Sequence, residues 1–91
     1  MKDLGFKEIE EFLKEGREIA FIYQHKQYSI TNSNGYWYLC CDTEGMTLEK
    51  ICLFKEKDIL VSGVRNITIN NTLISDIFNK KLYEESSIYI L

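Results

Sequence analysis

Tyr28-Ser29-Ile30-Thr31-Asn32-Ser33-Asn34-Gly35-Tyr36-Trp37-Tyr38-Leu39-Cys40-Cys41 is the stretch whose reading decides the fold. Asn34-Gly35 is the dipeptide that most favours a two-residue hairpin turn, because both of its positions tolerate the left-handed backbone that the turn requires. Centring the hairpin there pairs Ile30 with Leu39, Tyr28 with Cys41 and Asn32 with Trp37. One face of the ribbon is then apolar, which is the condition for a fixed register.

Working toward the N-terminus, the same test applied to a turn at His25-Lys26 sets Tyr23 against Tyr28 and Phe21 against Ile30, with Ile22 and Ala20 meeting Ser29 and Thr31 on the other side. Three strands thus direct Ile19, Phe21, Tyr23, Tyr28, Ile30, Trp37 and Leu39 to one core. The opposite face carries Glu18, Ser29, Thr31, Tyr36, Tyr38 and Cys40. Before these strands, Phe6, Ile9, Phe12 and Leu13 recur at helical spacing and Gly16 supplies a stop, so a helix is expected from Phe6 to about Glu15. Its far side is an acidic stripe of Glu8, Glu11 and Glu15.

Toward the C-terminus, Asp42-Thr43-Glu44-Gly45 signals a turn and Met46 to Phe54 a fourth strand. A tight turn at Glu44-Gly45 would send Leu48 inward with Lys50, whereas a bulged loop would send Ile51 and Leu53 inward. The run from Lys55 to Val61 suits a short helix stopped at Gly63. Ile67 and Ile69 alternate about Thr68 in a short extended piece, and Asn71 or Thr72 can cap a further helix reaching about Leu82, with Leu73, Ile74, Ile77 and Phe78 on its apolar face. Ser86 to Leu91 is β-prone and would complete the sheet or cover an edge. The expectation is one α+β domain over residues 1–91, an antiparallel sheet of four or five strands with helices covering one face.

Composition narrows the function classes. At 91 residues with 45% hydrophobic and 27% charged residues, the chain has room for one core and little else. Eleven basic against 14 acidic residues give a net charge of -3, which disfavours direct nucleic-acid binding and attachment to anionic membrane surfaces. No apolar run is long enough to span a bilayer, and Met1-Lys2-Asp3-Leu4-Gly5 lacks a leader's apolar region, so a cytoplasmic location is expected. Cys40, Cys41 and Cys52 are odd in number and form no Cys-x-x-Cys, and with His25 as sole histidine neither a disulfide framework nor a metal site is expected.

Catalytic constellations are thin. His25 sits in a turn without a partner nucleophile, Glu84-Glu85 and Asp42/Glu44 lack surroundings that would perturb a carboxylate, and Cys40 has no adjacent cation. The five glycines are scattered, so no phosphate loop is present, and no cofactor is expected. Asn66-Ile67-Thr68 and Asn70-Asn71-Thr72 match glycosylation acceptors only by chance in a chain without a secretory signal.

Glu15-Gly16-Arg17-Glu18-Ile19, followed by Phe21, Tyr23, Lys26 and Tyr28-Ser29-Ile30-Thr31, resembles small bacterial proteins that begin with a helix and a Tyr-rich hairpin. Ile69-Asn70-Asn71-Thr72-Leu73-Ile74-Ser75-Asp76-Ile77 is similar to their last helix, so the resemblance touches about half the chain. His25 departs from it, because related hairpins tend to have glycine there. Within that group the chain looks like the immunity proteins of contact-dependent growth inhibition, which bind and block a polymorphic toxin's C-terminal domain. The resemblance implies a cytoplasmic, non-enzymatic inhibitor of a basic cognate toxin domain, such as a nuclease. These immunity proteins share no binding motif, so no residue role is carried over.

The candidate contact residues come from the chain itself: Glu18, Tyr36 and Tyr38 on the outer sheet face, with Asp42 and Glu44 at its corner. Tyrosines offer contact area at small entropic cost and acids steer a basic partner. The alternative is a small regulatory or ligand-sensing module whose mixed sheet face binds a metabolite.

Overall fold

The computed structural model describes residues 4–91. Met1-Lys2-Asp3, part of the stretch on which the expectation of no leader rests, lie outside the described residues. The elements run α1 (Phe6–Lys14), β1 (Ile19–Tyr23), β2 (Lys26–Ser33), β3 (Tyr36–Cys41), β4 (Met46–Leu53), α2 (Lys57–Asn66), β5 (Thr68–Ile69), β6 (Thr72–Leu73), α3 (Ile74–Asn79) and β7 (Tyr89–Ile90). Five strands form an antiparallel sheet ordered β4-β3-β2-β1-β7, while β5 and β6 make a separate small hairpin. This is the expected α+β architecture.

The Asn34-Gly35 hairpin has the expected register, with Ile30 opposite Leu39 and Asn32 opposite Trp37. The first hairpin differs: its turn is Gln24-His25, so Phe21 faces Tyr28 and Ile19 faces Ile30. A slip of two residues leaves every side chain on its expected face, because strand faces repeat with period two. Both turn residues adopt positive φ, 51° and 67°, an arrangement costly for residues other than glycine. Contacts distant in sequence hold it. Asn70 Nδ2 donates to Gln24 Oε1 at 2.7 Å, and His25 Nδ1 lies 3.4 Å from Glu84 Oε2. The slip also stacks Phe21 on Tyr28, with ring centroids 5.9 Å apart.

The fourth strand follows neither simple register. It carries two bulges, one between Trp37 and Tyr38 and one between Leu39 and Cys40, which leave Ile51 and Leu48 without partners across the ladder. Ile51 packs under α2 against Gly63, and Lys50 falls opposite Tyr38. Leu53, expected inward in the bulged reading, is instead exposed opposite Tyr36. Bulges together with Glu49 and Lys50 in mid-strand are the devices that blunt an open sheet edge.

Gly63 does not stop a helix; α2 runs through it to Asn66. A Cβ there would meet Ile51 Cγ2 at 3.1 Å, so the glycine serves close helix-to-sheet approach. The third helix is shorter than expected. Asn70-Asn71, with φ of 51° and 68°, turns the β5–β6 hairpin rather than capping a helix, and α3 ends at Asn79. Leu73 accordingly stays exposed, while Ile74, Ile77 and Phe78 are buried.

One core joins the layers: Phe6, Ile9 and Leu13 of α1, Leu60 and Val64 of α2, and Ile74, Ile77 and Phe78 of α3 cover the apolar sheet face. Phe21 meets Phe78 edge-on at 5.0 Å. The helices also brace one another. Asn79 Oδ1 of α3 accepts from Phe6 N at 2.9 Å, satisfying a free donor at the start of α1, and Arg65 of α2 pairs with Glu10 of α1. No helix among the described residues is long and apolar enough to cross a membrane.

Candidate functional site

All three helices pack on one side, so no helix covers the other sheet face. Its central residues are Tyr38, between Thr31 of β2 and Lys50 of β4, and Tyr36, between Ser33 and Leu53. Both tyrosines are partly exposed. Lys50 Nζ lies 3.8 Å from the centre of the Tyr36 ring, an attraction between an ammonium and the negative face of the aromatic that ties the two side chains together. Lys50 thus belongs to this face. Sequence reading missed it because its placement depends on bulges that no local signal marks.

Asp42 lies at one end of the face and is not a free charge. Its Oδ1 accepts from Ser29 Oγ at 2.9 Å and its Oδ2 from Gln27 Nε2 at 3.1 Å. Ser29 is the buried polar residue of the sheet, so this carboxylate satisfies a hydroxyl that has lost water. Beside Gln27, a groove of about 280 Å³ is lined by Ala20, Gln27, Ser87 and Tyr89. The small side chain of Ala20 leaves the space, and the C-terminal strand supplies the tyrosine wall.

Glu18 sits toward the other end. Its Oε2 accepts from the backbone N–H of Asn32 at 2.8 Å, extending the β1–β2 ladder. From Tyr36 to Asp42 the chain advances six extended residues, about 20 Å, so Asp42 lies apart, whereas Glu18, one step beyond the Ile19–Ile30 pair and so level with Thr31, falls in the same cross-strand row as Tyr38.

Glu44 leaves this face altogether. It turns to the helix side, where its Oε2 accepts from Lys26 Nζ at 2.6 Å in an open cleft of about 270 Å³ that Tyr28, Cys41, Leu48 and Ile69 also line. The Lys26 hydrogen bond and charge hold the Glu44 carboxyl below its ordinary value, and Glu44 in turn raises Lys26. Burial, then the nearby Cys41, pushes the Tyr28 phenol up. Burial likewise raises the Cys52 thiol, with Glu56 adding to the effect. Among the described residues no group of three His, Cys, Asp or Glu side chains comes together to hold a metal ion.

The Tyr28 shift has a measurable consequence. As pH rises past the ordinary phenol value the unfolded chain releases its proton first, so stability should fall until the folded value is also passed. Ultraviolet titration should show a late-ionising phenol, and Tyr28→Phe should remove both that late step and its share of the alkaline loss.

No protein-family model matches the chain, and comparison with curated proteins and with solved structures likewise gives no match.

Proposed function

We propose that the protein acts by binding, as a stoichiometric immunity protein that neutralises a cognate toxin domain through its helix-free sheet face. The observation that carries this reading is the helix-free strip formed by Tyr36 and Tyr38 with Lys50 between strands and Asp42 at its end. The Tyr36 ring, already in contact with Lys50, loses little freedom on docking, and flanking charges of both signs set the partner's register. The resemblance of the first helix and hairpin to immunity proteins of contact-dependent growth inhibition supplies the class of partner.

A nuclease toxin fits this reading best. Its groove must be basic to hold phosphates, and a chain with a net charge of -3 approaches it with electrostatic steering. Inhibition then takes place in the cytoplasm, by occlusion and without turnover, metal or cofactor.

Calorimetry against the C-terminal domain of an effector encoded by an adjacent gene tests the proposal. The expected result is a one-to-one complex with a dissociation constant far below ~1 µM, since neutralisation in a cell needs more than about 8 kcal/mol. Absence of binding at micromolar concentrations would overturn it.

A further inference from the structure

The cleft on the helix side of the sheet is independent of the proposed partner face and has a chemistry of its own. It opens where the β1–β2 and β3–β4 turns approach the β5–β6 hairpin. Two observations point to a ligand. Tyr28 is only 4% exposed and lines the cleft, yet no described residue hydrogen-bonds its hydroxyl. No buried side-chain oxygen among the described residues lacks a partner, so this hydroxyl is one that reaches the cleft surface, where it can donate to or accept from whatever enters. At the mouth, Lys26 and Glu44 hold opposite charges 2.6 Å apart, each with its side chain a little under half exposed.

That pairing selects the ligand class. A simple anion attracted by Lys26 meets the Glu44 carboxylate, and a simple cation meets the reverse. A zwitterion complements both, because each of its charges faces an opposite one without breaking the pair. Behind the charges, Leu48, thrown out of the ladder by its bulge, and Ile69 of the hairpin give an apolar wall. The volume of about 270 Å³ lies below the range of drug-sized pockets, so the ligand is small.

We propose that this cleft binds a free α-amino acid with an apolar side chain, its carboxylate on Lys26 Nζ and the Tyr28 hydroxyl, its ammonium on Glu44, and its side chain against Leu48 and Ile69. The open mouth keeps the affinity modest, on the order of 1 mM, which suits a site that reports a metabolite's level.

The test is a titration of the isotope-labelled full chain with L-leucine, followed by amide chemical shifts. Saturable shifts are expected at Tyr28, Cys41, Leu48 and Ile69. Leucinamide, which lacks the carboxylate, and 4-methylpentanoate, which lacks the ammonium, should each bind roughly tenfold or more weakly, as should leucine to a folded Tyr28→Phe variant. Glu44→Gln lies on an exposed turn and gives a second, fold-independent readout: it should weaken leucine while strengthening 4-methylpentanoate. No saturable shift at these amides, equal affinity for the two analogues and leucine, or an unchanged preference in Glu44→Gln would overturn the assignment.

Discussion

Trp37→Ala is expected to lower the stability of the domain by about 3–5 kcal/mol, out of a total of roughly 5–14 kcal/mol for a chain of this length. Three losses combine. The indole is fully buried in the sheet core, so its removal forfeits transfer energy and leaves a cavity that the two surrounding layers can only partly close. The ring is also stacked on Phe54, with centroids 5.5 Å apart and planes 12° from parallel, so a second aromatic loses its packing. Finally, Nε1–H donates to the Phe54 carbonyl at 3.0 Å, and the truncation removes that donor. This last bond helps anchor the chain where β4 turns into α2, alongside Leu53 N donating to Glu56 Oε1 at 3.0 Å, Glu56 N to Leu53 O at 3.1 Å and Phe54 N to Gly35 O at 2.8 Å. Urea unfolding followed by circular dichroism checks the prediction, since the variant loses the chain's single tryptophan fluorophore. Trp37→Phe separates the contributions: it keeps a ring in the core and should cost only about 1–2 kcal/mol. A loss below ~1 kcal/mol for Trp37→Ala would contradict the placement of Trp37 between sheet and helices.

What the sequence disclosed, and what it withheld, divides along the range of the forces involved. The Asn34-Gly35 hairpin was legible because its turn preference and its cross-strand pattern are local and agree. The core-facing set from Ile19 to Leu39 was legible for a subtler reason: the slip of the first hairpin by two residues preserves the faces, so the list survives a wrong turn. The turn itself was not legible, because Gln24-His25 is held by Asn70 and Glu84, residues far along the chain. Gly63 and Asn71 misled for a related reason. Each residue type has two uses, helix stop or close packing for glycine and cap or hairpin turn for asparagine, and tertiary contact decides between them. At the candidate site the same limit separates Tyr36 and Tyr38, fixed by strand parity, from Glu44, whose side of the sheet depends on how the 42–45 turn folds around Lys26. Lys50 was hidden behind the bulges, which neither propensity nor periodicity marks.

These placements sharpen the test of the docking surface. Two acidic surfaces remain in competition, the helix stripe and the sheet face. Glu11 of α1 and Glu15, just past its end, are exposed, whereas Glu8 Oε1 accepts from Gly5 N at 2.8 Å and is partly spent on the helix start. On the sheet, Asp42 is tied to Ser29 and Gln27, so Asp42→Ala would leave a buried hydroxyl without its acceptor and mix folding with binding. Tyr36→Ala and Tyr38→Ala are the cleaner changes, because neither phenol supports the core. On the proposed immunity reading, together they are expected to cost about 2 kcal/mol or more of affinity for the cognate toxin domain, a loss of roughly 30-fold, and to do so by faster dissociation with little change in encounter rate. Lysine reversals at Glu11 and Glu15 should mainly alter the salt dependence of association, since exposed charges act over distances that salt screens. Stopped-flow association at two ionic strengths, with dissociation measured by competition, reads both quantities. If the lysine reversals abolish protection while the tyrosine pair leaves affinity intact, the acidic face of α1 is the docking surface and the sheet face is ordinary solvent-facing structure.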